Sequence, residues 1–166
     1  EDGLLKITAK REDIAGYEYT SARIISRDKY EFQYGRVDIR AKLPTGIGTW
    51  PALWLLGANF NEVGWPECGE IDIMEHWGHD PTVIAGSLHT PMSHGDTWTN
   101  GHTTVSDYDE QFHIYSIDWN ENRIQFFVDD VLYYTYNPSP KTDENWPFDQ
   151  EAFFILNVAV GGSWFD

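Results

Sequence analysis

Phe112-His113-Ile114-Tyr115-Ser116-Ile117-Asp118-Trp119-Asn120-Glu121-Asn122-Arg123-Ile124-Gln125-Phe126-Phe127-Val128-Asp129-Asp130-Val131-Leu132-Tyr133-Tyr134-Thr135-Tyr136 is the stretch that decides the fold. It holds three runs rich in β-branched and aromatic residues, 112–119, 123–128 and 131–136. Asn120-Glu121-Asn122 and Asp129-Asp130 separate them with turn chemistry, so the stretch reads as two successive hairpins. Further out, residues 34–43 alternate: Val37, Ile39 and Ala41 take one face, and Arg36, Asp38 and Arg40 the other. Runs at 20–27, 50–56, 69–77, 83–90 and 151–160 also read as strands, the last stopped by Gly161-Gly162. Turn-rich segments at 44–48, 59–67, 91–101 and 137–147 lie between them. No segment sustains a helical period. The expectation is one all-β domain over residues 1–166, an antiparallel sandwich.

Composition narrows the partners. The chain has 166 residues, 27 acids against 11 lysines and arginines, and a formal charge of −16. Such a surface repels phosphate backbones and anionic lipid heads, which argues against nucleic acid and membrane as partners. An uncharged ligand stays compatible, and the charge serves solubility in either case. Cys68 is the only cysteine, so no internal disulfide can form; it reads as a small buried hydrophobe. No apolar run approaches the ~20 residues of a membrane helix. Glu1 in place of an initiating Met reads as a processed form or a fragment.

The chemically informative segment is Gly69-Glu70-Ile71-Asp72-Ile73-Met74-Glu75-His76-Trp77. Glu70 and Asp72 are two apart and share a strand face, while Glu75 has the opposite parity. One extra residue, a β-bulge near Met74, would bring Glu75 round to the same face. Three acids on one face cannot all stay ionised cheaply, so one should keep its proton, as a general acid must. Retaining glycosidases place two carboxyl groups about 5–5.5 Å apart and inverting ones about 6.5–9.5 Å; the spacing along the chain permits either. A solvated edge-strand face is the bland alternative. Apolar Ile71, Ile73 and Met74 argue for an interior strand instead, where unpaired acids are costly. Loop ligands at calcium spacing are absent, and His76 with His79 gives only a weak zinc signal.

Glu70-Ile71-Asp72-Ile73-Met74-Glu75 resembles the active-site motif of glycoside hydrolase family 16, in the six-residue form of its laminarinase-type members. The lichenase-type form lacks the inserted Met. The likeness extends to Tyr34-Gly35-Arg36-Val37 through Lys42-Leu43-Pro44, to Trp50-Pro51-Ala52-Leu53-Trp54-Leu55-Leu56-Gly57, and to Asn157-Val158-Ala159-Val160-Gly161-Gly162. The resemblance implies a concanavalin-like β-jelly roll with a concave substrate groove and endo-acting, retaining hydrolysis of β-1,3- or mixed-linkage glucans. It makes Glu70 the nucleophile, Asp72 its assistant and Glu75 the acid/base. It also places Trp54 and Trp65 at sugar subsites and His89 near the reaction centre.

Sugar rings stack on indoles and bond to polar side chains at their edges. Trp50 shares the parity of Trp54, so one face could hold both. Arg36 and Arg40 either reach the groove or pair with surface acids. Trp98 is either a subsite wall or loop packing. Asn157 either touches sugar or satisfies backbone groups, and Trp119 and Trp146 read as packing. The family usually carries more chain at both ends, so outer strands are expected to be missing; the chain reads as a fragment, as a split domain whose sandwich a second chain or segment completes, or as a rebuilt variant. Those ends tend to supply a structural calcium site, so such a calcium is open to doubt in this chain; no cofactor is required and no metal ligands are assigned. A polysaccharide substrate implies secretion. The rival readings are a non-catalytic β-glucan-binding protein on the same scaffold, and a relative acting on lichenan or agar.

Overall fold

The computed structural model describes residues 2–95 and 99–161. A hairpin of β1 (Lys10–Ile14) and β2 (Tyr17–Thr20) is followed by β3 (Arg23–Ile25), β4 (Glu31–Phe32), β5 (Gly35–Ala41) and β6 (Thr49–Gly57). One helical turn, α1 (Phe60–Val63), precedes β7 (Glu70–Glu75), β8 (Val83–His89) and β9 (Thr99–Thr104). Then come β10 (His113–Trp119), β11 (Ile124–Val128), β12 (Val131–Tyr136) and β13 (Ala152–Val160). One sheet runs β12-β11-β10-β5; the other runs β3-β13-β6-β7-β8-β9, with β4 also paired to β13. Neighbouring strands in both are antiparallel.

The two hairpins expected from 112–136 form as read. Asp129 and Asp130 both take positive φ, 49° and 64°, the left-handed pair that suits a two-residue hairpin. Asn120 Oδ1 accepts the backbone N–H groups of Asn122 and Arg123 at 2.9 and 3.1 Å, which closes the other turn. The resulting sheet presents Val37, Tyr115, Ile117, Trp119, Ile124 and Phe126 inward. They meet Leu55, Ile71, Ile73, Met74, Ile84 and Leu88 of the larger sheet in one core. Each large apolar side chain buried there stabilises the sandwich by about 1.5–3 kcal/mol. Trp119 and Trp146 are buried as expected: Trp119 Nε1 donates to the Phe148 carbonyl, and Trp146 Nε1 to Asp149 Oδ1.

Residues 50–56 are strand, inside β6. Five elements escaped the sequence pattern, among them the two-residue β4. β9 is Thr-Asn-Gly-His-Thr-Thr, polar on both faces because it ends the larger sheet and packs one side only. β1 and β2 are charged, largely exposed strands outside both sheets. The turn α1 is too short to carry a period.

Candidate active site

β7 is where the sandwich core and the acid cluster meet. Against β6, Asp72 pairs with Trp54 and Met74 with Leu53, which leaves Ile73 over. Against β8, Asp72 pairs with Ser87 and Glu75 with Ala85, three steps opposed to two. This is the expected bulge. Ile73 and Met74, adjacent in sequence, both point into the core at 1% and 0% exposure. Their burial fixes the register, because a slip by one residue would drive acids into the apolar layer. Glu75 therefore returns to the outer face that Glu70 and Asp72 occupy. Gly69, at φ 72°, turns the chain into this strand where a Cβ would press on Pro147 and Phe148.

Each acid is held separately. Trp50 Nε1 donates to Glu75 Oε1 at 3.0 Å, and Ser87 Oγ donates to Glu75 Oε2 at 2.7 Å. Trp65 Nε1 donates to Glu70 Oε2 at 2.8 Å. His89 Nε2 lies 3.3 Å from Asp72 Oδ2 and 3.8 Å from Glu70 Oε1. The Trp65 ring leans on His89 and meets His94 edge-on. Asp72 and Glu75 are buried, while Glu70 stays partly open.

Burial dominates their titration. It pushes the Glu70 carboxyl up to about 8, helped by the charge of Asp72 and opposed by His89 and the Trp65 N–H. Asp72 is raised by burial and by the charge of Glu75, with a hydrogen bond to Glu70 opposing. Glu75 is raised by burial against the hydrogen bonds of Ser87 and Trp50. Burial thus raises all three carboxyls, which favours protonated forms in a cluster that cannot cheaply carry three charges. The Asp72–Glu70 hydrogen bond raises Glu70 and lowers Asp72, so the pair shares a proton between its two carboxyls, and the raised affinity of Glu75 for a proton suits a general acid. Glu70, Asp72 and His89 also place one potential ligand atom each within 4.8 Å of one another.

Among the remaining expected residues, Trp54 and Asn157 lie on the same outer face. Trp54 Nε1 donates to Asn157 Oδ1 at 2.8 Å, and the Arg23 guanidinium sits 5.5 Å from the Trp54 ring. Arg36 and Arg40 are corrected. Both project from the outer face of the four-stranded sheet, on the opposite side of the sandwich from the acids. Arg36 pairs with Asp38 at 2.8 Å and with Asp130, and Arg40 stacks 4.0 Å from the Phe112 ring centroid. Val37 and Ile39 claim the core face of β5, so its arginines must point outward. Trp98 lies outside the described residues. Ser87 escaped notice, although alternation in 83–90 puts it on the His89 face. So did Trp77, whose ring lies 6.3 Å from that of Trp50. The Cys68 thiol is buried and pushed up to about 11 by burial and the Glu70 charge, as befits a packed hydrophobe.

Residues 1–165 match the glycosyl hydrolases of family 16 along their length. The chain belongs to that family. It is 44% identical to a β-glucanase of Rhodothermus marinus over 171 residues, covering 98% of this chain and 60% of that protein. It superposes on a laminarinase from Flavobacterium sp. UMI-01 with a TM-score of 0.90 at 50% identity, over 95% of this chain and 67% of that one. The laminarinase catalytic domain of Thermotoga maritima gives a TM-score of 0.91 at 45% identity, over 96% and 67%. The family-16 chain thus spans about 60% of the length of the curated relative, and its fold is the antiparallel jelly-roll sandwich of the family.

Proposed function

We propose that this chain is an endo-acting, retaining β-glucanase that cleaves internal β-1,3-glucosidic bonds. The observation that carries the reading is the bulge at Ile73–Met74, which gathers Glu70, Asp72 and Glu75 on one face. The substrate class rests on likeness to the Rhodothermus marinus β-glucanase and the Flavobacterium laminarinase. In the first step Glu70 attacks the anomeric carbon, and the C–O bond to the leaving sugar breaks. Glu75 passes its proton to the departing oxygen. In the second step Glu75 takes a proton from water, which attacks the glycosyl–Glu70 ester and frees the carboxylate. Asp72 takes up the proton that the pair shares as Glu70 attacks, so that the nucleophile reacts as the anion. Trp50 and Ser87 orient Glu75, Trp65 orients Glu70, and Trp54, braced by Asn157, offers a sugar platform. Neither step of this proposed mechanism requires a cofactor, and a polymeric substrate would imply secretion.

Digestion of laminarin by the 166-residue chain, followed by proton NMR of the first anomer released, tests the reading. The β-anomer should appear first. An α-anomer would mean inversion, and binding without any reducing ends would mean a glucan-binding protein. Faster release from lichenan or agar would move the substrate within the family.

A further inference from the structure

We propose that Glu70, Asp72 and His89 form a binding site for one divalent transition-metal cation such as zinc, and that its occupancy blocks the nucleophile. The inhibition, though not the binding, rests on the function proposed above. Zinc bonds to imidazole nitrogen and carboxylate oxygen are about 2.0–2.2 Å long, so neighbouring donors of a tetrahedral site stand about 3.3 Å apart. His89 Nε2 and Asp72 Oδ2 are 3.3 Å apart, and His89 Nε2 and Glu70 Oε1 are 3.8 Å apart. Two of the three donor pairs are thus near coordination distance before any cation arrives, and all three donors lie within 4.8 Å of one another. Asp72 Oδ2 supplies a second observation. It is buried, takes part in no hydrogen bond and faces the His89 ring nitrogen. A buried carboxylate oxygen of this kind gains most from a cation. Glu70 is open to the outer face, which leaves a path of entry and a fourth position for water.

The chemistry favours imidazole-loving cations over calcium or magnesium, which want six or more oxygens. A second histidine–acid cluster among the described residues does not have this geometry. His113 turns Nδ1 toward Asp129 and Nε2 toward Asp107, so its two acids lie on opposite sides of the ring. In the proposed site both acids face one nitrogen. A cation bound there holds the Glu70 oxygen that would attack the anomeric carbon. Inhibition should be reversible by chelator and competitive with glucan.

The test uses Co²⁺ as a visible-absorption probe and Zn²⁺ as its competitor, on the purified chain. A single tetrahedral cobalt band should grow to one equivalent and be displaced by zinc. Asp72→Asn, which keeps the side-chain shape, and His89→Ala should each weaken cobalt binding at least ~10-fold. His113→Ala should leave it within about twofold. No band at millimolar cobalt, equal binding by Asp72→Asn and His89→Ala, or loss of binding in His113→Ala would overturn the site. Laminarin hydrolysis is followed in parallel. Binding with the expected variant pattern in a chain that cannot hydrolyse glucan supports the metal site and counts against the hydrolase reading. Hydrolysis that millimolar zinc leaves unchanged overturns the inhibition and leaves the hydrolase reading standing.

Discussion

Glu70→Gln should stabilise the fold at alkaline pH while abolishing the proposed chemistry. The wild-type carboxyl is pushed from 4.5 to about 8 by burial and by Asp72. A carboxyl that holds its proton more tightly in the folded chain favours folding most below pH 4.5. That advantage is lost as pH rises through about 8, where the folded protein must carry the buried charge. At about 1.4 kcal/mol per tenfold change in proton affinity, the ceiling is about 5 kcal/mol. Sharing of charge with Asp72 and water entering at the open side of Glu70 should reduce it to a few kcal/mol. Glutamine copies the protonated carboxyl in shape and cannot ionise. Urea unfolding of both proteins at pH 5 and pH 8.5 measures the difference. The variant should match the wild type within about 1 kcal/mol at pH 5 and exceed it by about 2–4 kcal/mol at pH 8.5. Parallel stability curves across this range would refute the claim that the site stores unfavourable charge.

Glu75→Gln keeps the hydrogen bonds to Trp50 and Ser87 in number but removes the transferable proton. Its kcat on laminarin should fall about 10²–10⁴-fold, and the loss should shrink on an aryl glucoside whose leaving group needs no protonation. Met74→Ala removes a side chain with no exposed surface from beneath the bulge. It should cost about 2–5 kcal/mol in chemical denaturation.

The strands legible in the sequence were those whose alternation a core enforces. β5 and the meander of β10, β11 and β12 turn one face to the core and their alternation announced it, while β7 and β8, buried on both faces, were marked by their apolar residues. β9 and the β1–β2 hairpin bury little, so no apolar period marks them. The three acids were legible because their parity conflict had one cheap solution, a single extra residue at the apolar pair Ile73–Met74. Arg36 and Arg40 show the converse. Alternation said that they share a face, but only the order of strands between sheets decides which side of the molecule that face occupies. Ser87 was invisible until β7 and β8 were in register, because nothing local distinguishes a serine that orients a carboxyl from one that faces water.

A strand is a two-phase device, and the bulge in β7 adds one to the count without changing the phase at which Glu75 emerges. Removing Met74 would leave Glu-Ile-Asp-Ile-Glu, which presents the same three acids outward with no irregularity at all. The longer and shorter spellings are therefore chemically synonymous. They differ in ballast: the longer one anchors two apolar side chains beneath the reacting groups where the shorter anchors one. A single residue added elsewhere between Glu70 and Asp72 has no such synonym, and would turn one of these acids toward the interior.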